Sequence, residues 1–152
     1  MQNPADLCAA LVTKLRAIAA LVAALDNDAT NIFAYEDNFP ASNDIGKAIQ
    51  DMPRGSIMVA WRGTANAGRN WEHRFSLYLK APGKYTTLWN LISNGVPTGG
   101  DGLGFRYTMI HTSCYPIHGR ISAEPRTLAV SDLSYLDYYE CPLTLQERGA
   151  AT

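Results

Sequence analysis

The stretch Trp71-Glu72-His73-Arg74-Phe75-Ser76-Leu77-Tyr78-Leu79-Lys80 decides the fold. Trp71, His73, Phe75, Leu77 and Leu79 fall on one side of an extended chain, and Arg74, Ser76, Tyr78 and Lys80 on the other. That period of two belongs to a strand with two distinct faces. Ser56-Ile57-Met58-Val59-Ala60-Trp61 is a second strand-like run, and Gly63, Asn66 and Gly68 between them give a turn composition. Residues 56–80 therefore read as a hairpin that turns over Gly63–Asn70.

Working toward the N-terminus, Pro53 ends a small helix over Ile45–Asp51 that Ser42 or Asn43 caps, and a short strand is expected around Asn31–Tyr35. Ahead of these, Asn3 suits a helix cap, Pro4 the first turn, and Asp6 the positive end of the helix. Leu7, Leu11, Leu15, Ile18, Val22 and Leu25 recur at helical spacing, so one helix is expected through Leu25. Its other faces carry Ala9, Ala10, Ala17, Ala19, Ala20, Ala23 and Ala24. Alanine serves helix propensity, and it also lets a neighbour approach closely.

Toward the C-terminus, Tyr85–Asn94 reads as a helix with Tyr85, Leu88, Trp89 and Ile92 on one face, ended by Gly95 and Pro97. A Gly-rich loop, Thr98–Gly104, is expected to be flexible and to lead into a strand over Phe105–Thr112. Pro116–Pro125 reads as irregular or as a short edge strand. Leu133–Leu145 alternates as a final strand. Asp137 in its apolar row needs a polar partner or an interface, and Pro142 suggests an edge position or a bend. The order gives an α+β fold in a single domain, 1–152. Its mainly antiparallel sheet carries the N-terminal helix and the mid-chain helix packed on one face.

The chain has 152 residues, 47% hydrophobic and 18% charged, with a net charge of −1. The charged share is below the roughly 25% of an average soluble domain, which points away from disorder and toward surface covered by partners. Eight tyrosines and three tryptophans point the same way. Near-neutrality excludes a generally basic nucleic-acid binder. Cys8, Cys114 and Cys141 are odd in number and far apart, so reduced thiols are expected rather than a disulfide framework. Met1–Asp6 lacks a basic leader region, and Lys14 and Arg16 interrupt the apolar run 7–25, so neither a secretory signal nor a membrane span is expected.

No catalytic constellation stands out. Gly100-x-Gly102-x-Gly104 follows a helix and opens a strand, the reverse of a phosphate-binding loop. His111, Cys114 and His118 are spaced like ligands, but on a strand they point to differing faces and lack a fourth partner, so a structural role is expected. No Gly-x-Ser-x-Gly elbow occurs. His73, between Trp71 and Phe75, reads as a hydrogen-bonded core histidine. The expectation is a non-enzyme without cofactor or metal.

Charge is unevenly placed. Residues 26–51 hold Asp26, Asp28, Glu36, Asp37, Asp44 and Asp51 against Lys47, and residues 52–84 hold Arg54, Arg62, Arg69, Arg74, Lys80 and Lys84 against Glu72. These blocks either pair within one chain or meet between subunits, and head-to-tail contacts of the second kind generate rings.

The N-terminal helix, "MPRGSIMVAWRG" leading into "WEHRFSLYLKA", the helix "YTTLWNLI" and the closing "DLSYLDYYECPLTLQE" together resemble the tail terminator proteins of long-tailed bacteriophages. The likeness is one of pattern over nearly the whole chain. It implies a structural virion protein forming a hexameric ring that caps the head-proximal end of the tail tube. Such a ring ends tube polymerisation and docks the tail to the head or neck. Implied partners are other copies of the chain, the tail tube protein and a neck or head-completion protein. Double-stranded DNA would pass through the lumen as cargo, and no membrane is involved. The implied location is the virion, after assembly in the host cytoplasm. A neck or stopper protein one ring higher shares the pattern. A small enzyme and a monomeric ligand-binding module are the competing functions from different classes.

On that resemblance, Arg62, Arg69 and Arg74 are candidates to pair with Asp37 and Asp44 of a neighbour. Trp61, Trp71, Phe75 and Tyr78 are core or ring-interface anchors, and the 63–70 turn and 98–104 loop reach a partner or the lumen. A domain of this length has a radius of gyration of ~15 Å, hence a sphere about 38 Å across. Six such spheres in contact leave a hole of roughly the same width, enough for a DNA duplex.

Overall fold

The computed structural model describes residues 2–35, 45–94, 100–104, 108–119, 126–131 and 134–148. In chain order the elements are α1 (Pro4–Arg16), α2 (Ala19–Ala24), β1 (Ile32–Ala34), α3 (Ile45–Asp51), β2 (Ser56–Ala67), β3 (Asn70–Lys80), α4 (Tyr85–Ser93), β4 (Cys114–Gly119), β5 (Arg126–Ser131) and β6 (Ser134–Glu147). The strands form a sheet ordered β1-β2-β3-β6-β4, with β5 also paired to β6. β1 runs parallel to β2 and every other pair is antiparallel, so the α+β class holds. Among the described residues, no helix is long and apolar enough to cross a membrane.

The alternation read from β3 sorts two cores. Phe75, Leu77 and Leu79 join Ile57 and Val59 of β2 and Cys141, Leu143 and Leu145 of β6 beneath α1, α2 and α4, which contribute Leu7, Leu11, Leu15, Leu21, Leu88 and Ile92. Met58, Ala60 and Tyr78 look the other way, onto Tyr35, Ile45, Ile49 and Met52. The N-terminal and mid-chain helices thus share one face, as expected, and α3 closes the opposite one. Lys80 lies on the α3 side and is 5% exposed. Its ammonium donates to the carbonyls of Ile49 (3.2 Å), Gln50 (2.9 Å) and Met52 (2.6 Å), capping the end of α3.

Several boundaries differ from the sequence expectation. The first helix is capped by the Asn3 side chain, as its sequence indicates, but it breaks at Ala17 and Ile18. No Gly or Pro stands there. The break lets α2 lie against α4 and buries Leu21 while Val22 is left half-buried. The hairpin ladder runs out to Ala67 opposite Asn70, leaving Gly68-Arg69 as the turn in place of the longer one expected. Thr108–Thr112 is not a strand; His111 makes an isolated bridge to Cys114, and Phe105–Tyr107 lies outside the described residues. Met109 in this stretch is 57% exposed. The edge strand expected near Pro116 exists as β4, and β5 was not foreseen.

β6 is an interior strand. β3 flanks Tyr139–Glu147, β4 flanks Leu143–Glu147, and β5 flanks Ser134–Tyr138. Pro142 sits in the gap between the last two, where β3 is the one described partner, and this is how a proline fits an interior strand. The side chain of Asp137 lies outside the described set, as do the caps proposed at Ser42 and Asn43.

Candidate functional site

A β-bulge builds the most polar part of the interior. Trp61 pairs with Phe75, but the next pair on β2 is Gly63 with Arg74, so Arg62 is the extra residue. Beyond it the side-chain parity of β2 reverses: Ile57, Val59 and Trp61 face the helices, and so does Thr64, opposite His73. Gly63 takes φ +144°, a backbone conformation that side chains rarely adopt. Trp61 and Thr64 therefore stand side by side, and Trp61 Nε1 donates to Thr64 Oγ1 at 3.2 Å.

Thr64 Oγ1 in turn lies 2.8 Å from His73 Nδ1, and His73 Nε2 lies 3.4 Å from Glu147 Oε1. Glu147 is an acceptor when ionised, so the ring proton belongs on Nε2 and the threonine hydroxyl donates to Nδ1. The Gln2 N–H donates to both carboxylate oxygens, tying the lead-in to α1 onto the end of β6. His73 is wholly buried and Glu147 is 1% exposed. Burial holds the His73 ring below its ordinary value, although the carboxylate beside it pulls the other way. His73 is thus the hydrogen-bonded core histidine expected from the sequence.

Cys114 completes the cluster from β4, where it is the register partner of Glu147. Its sulfur, a ring nitrogen of His73 and a carboxylate oxygen of Glu147 lie within 4.8 Å of one another. Burial, then the Glu147 charge, pushes the thiol up to about 12, which makes it a poor nucleophile at neutral pH. Sequence reasoning grouped Cys114 with His111 and His118, its chain neighbours. The structure joins it instead to residues 41 and 33 positions away, a grouping that only strand register reveals. Nδ1 of His111 is buried without a hydrogen-bond partner among the described residues.

The Gly-rich loop serves packing. The N–H of Gly102 donates to Asn94 O and that of Leu103 to Ile92 O, both at 2.7 Å. A Cβ on Gly102 would lie 2.4 Å from Ile92 O, and one on Gly100 2.2 Å from Asn94 O. These residues satisfy the carbonyl end of α4, the pole that repels phosphate. Gly102, Leu103 and Gly104 are buried, so this part of the loop is neither the flexible segment nor the reaching one expected.

The surface features lie on the hairpin. β1 pairs only with Ile57–Val59, so from Arg62 to Ala67 the outer edge of β2 has no partner strand among the described residues. Arg62, Arg69 and Arg74 are exposed, and none makes an ion pair with another described residue. Asp37 and Asp44 lie outside the described residues. The basic block also spends its lysines on carbonyls: Lys84 Nζ donates to Ala24 O at 3.0 Å, as Lys80 does to α3. Within the acidic block, Lys47 and Asp51 pair at 3.4 Å, largely exposed. Of the aromatic anchors, Phe75 and Tyr78 are core residues, one on each side of the sheet, whereas Trp61 and Trp71 are half-buried.

A groove of about 610 Å³ runs between α1 and β1, lined by Ala5, Ala9, Val12, Thr13, Arg16 and Phe33 among others. It lies apart from the His73 cluster. Neither a family model nor a curated protein matches this sequence.

Proposed function

We propose that this chain is a structural subunit of a homo-oligomeric, six-membered ring that caps the head-proximal end of a phage tail tube and joins it to the neck. The observation that carries the proposal is the distal half of the β2–β3 hairpin. It combines a strand edge, Arg62–Ala67, that no described strand covers with three exposed arginines that pair with no described carboxylate. Open edges invite strand pairing, and covering by another element or chain is one way proteins manage them. A neighbouring copy bringing acidic groups to Arg62, Arg69 and Arg74 would cover this one. Repeated head to tail around an axis, such a contact closes a ring. The alanine face of α1 and α2, with Ala9, Ala17, Ala19, Ala20 and Ala23 exposed, is a second surface able to meet the tube or the neck.

In this account the work is geometric. The ring ends tube growth by covering its last subunit layer, and its near-neutral charge lets DNA slide through instead of holding it. The test is to polymerise a tail tube protein with and without this chain. Growth arrested at one tube end supports the terminator role. Tubes that grow equally from both ends contradict it, and binding to a portal-side adaptor in place of tubes would favour a stopper one ring higher.

A further inference from the structure

We infer that His73 Nε2, Cys114 Sγ and Glu147 Oε1 form a buried site for one divalent transition-metal ion of the zinc type. The three donors come from adjacent strands, β3, β4 and β6, at the end of the sheet where Gln2 leads into α1. They are an imidazole, a thiol and a carboxylate, the ligand classes that zinc takes together. All three residues are buried and converge within 4.8 Å. The Nε2–Oε1 separation of 3.4 Å is long for a hydrogen bond. It equals the edge of a tetrahedron whose ligand atoms stand about 2.1 Å from the metal, which is about 3.4 Å.

The groups around the cluster are arranged as supports for such an ion. With Nε2 on the metal, the ring proton moves to Nδ1 and donates to Thr64 Oγ1, already 2.8 Å away. Thr64 has a second lone pair for Trp61 Nε1, so its oxygen accepts both N–H groups while its own hydrogen gives up Nδ1. Glu147 Oε1, the nearer acceptor of the Gln2 N–H, exchanges that contact for the ion, and Oε2, 3.2 Å from the same N–H, keeps it. An oriented histidine and a hydrogen-bonded carboxylate are the outer-shell features of metal sites. On binding, the Cys114 thiol releases its proton to solvent, and the two negative ligands bring the doubly charged ion to neutrality. Gln2 precedes the first helical turn, and opening of this short lead-in gives the ion a route in.

The test is to titrate the full, untagged chain with Co²⁺ after removal of bound metal by chelation, and then to displace the cobalt with Zn²⁺. With a water in the fourth position, the expected result is one Co²⁺ per chain, with a thiolate-to-cobalt charge-transfer band and tetrahedral visible bands that Zn²⁺ abolishes. Cys114→Ser, close in volume, should lose the band, while Cys8→Ser and Cys141→Ser keep it. Thr64→Val should weaken binding by about 10- to 100-fold and Thr64→Ser should restore it. No uptake, uptake without a charge-transfer band, or a band that survives Cys114→Ser would each overturn the inference, and the wild-type titration decides even if a variant fails to fold.

Discussion

Thr64 Oγ1 stands 2.8 Å from His73 Nδ1 because a single extra residue, Arg62, reverses the facing of β2 between Trp61 and Gly63. Without that bulge Thr64 would turn away from the helices, and the ring nitrogen of a wholly buried histidine would lose its partner. The same bulge lies at the start of the stretch of β2 that no described strand covers. One irregularity thus connects the interior cluster to the surface proposed to meet a neighbour.

Gly63→Ala tests the bulge itself. Nothing lies within 4 Å of a Cβ built there, so the effect comes from the backbone at φ +144°. The expected loss is about 1–3 kcal/mol, read from the urea midpoint. An unchanged midpoint would show that the bulge tolerates a side chain and does not fix the register.

Lys80 is charged and nearly buried, and two effects oppose each other. Burial disfavours the ammonium and draws the Lys80 pKa below its ordinary value, while three carbonyls at the end of α3 favour the charge. The bonds should win. Lys80→Met keeps the apolar stem, strands those carbonyls, and should cost about 1–3 kcal/mol in chemical denaturation. A variant as stable as the parent would mean that desolvation cancels the bonds.

Alkaline pH should destabilise the fold. Burial, reinforced by Glu140, raises Cys141 from 9.0 to about 12 and Tyr78 from 10.0 to about 12. A raised pKa contributes stability that is complete below the unfolded value and is lost as pH climbs to the folded one. The losses should therefore begin near pH 9 for Cys141 and near pH 10 for Tyr78, and both run to about pH 12. The depressed Lys80 works in the opposite sense, gaining stability as pH rises. Denaturation midpoints compared at pH 8 and 10.5 should fall for the parent and fall less for Tyr78→Phe. Equal midpoints for the parent would refute the shifts.

Charge reversal at Arg62, Arg69 and Arg74 separates folding from assembly. All three are exposed and unpaired among the described residues, so each change should alter monomer stability by no more than about 0.5 kcal/mol. The triple Glu variant should fold with the parent's melting curve and fail to form rings. Assembly that survives the reversal would remove the arginines from the interface.

Much of the fold was legible because β3 obeys a simple rule: its alternation sorts Phe75, Leu77 and Leu79 from Ser76, Tyr78 and Lys80, and the structure keeps that division. The capped start of α1 was legible for the same local reason. The break at Ile18 was not, because its apolar spacing also suits a straight helix, and packing against α4 decides the matter. Thr108–Thr112 misled in the opposite direction, expected within a strand and forming no ladder. Within the site, His73 was readable as a buried histidine from its row. Thr64, Cys114 and Glu147 were not, since a bulge and two strand registers bring them together and no spacing in the chain encodes it.

The central claim is that copies of this chain close into a six-membered ring. The most direct test is mass determination of the purified protein, alone and with preassembled tail tubes, followed by electron microscopy of the mixture. The account predicts six-fold rings, free or seated on one tube end, that the triple arginine variant cannot form. A protein that stays monomeric and leaves both tube ends bare would contradict it.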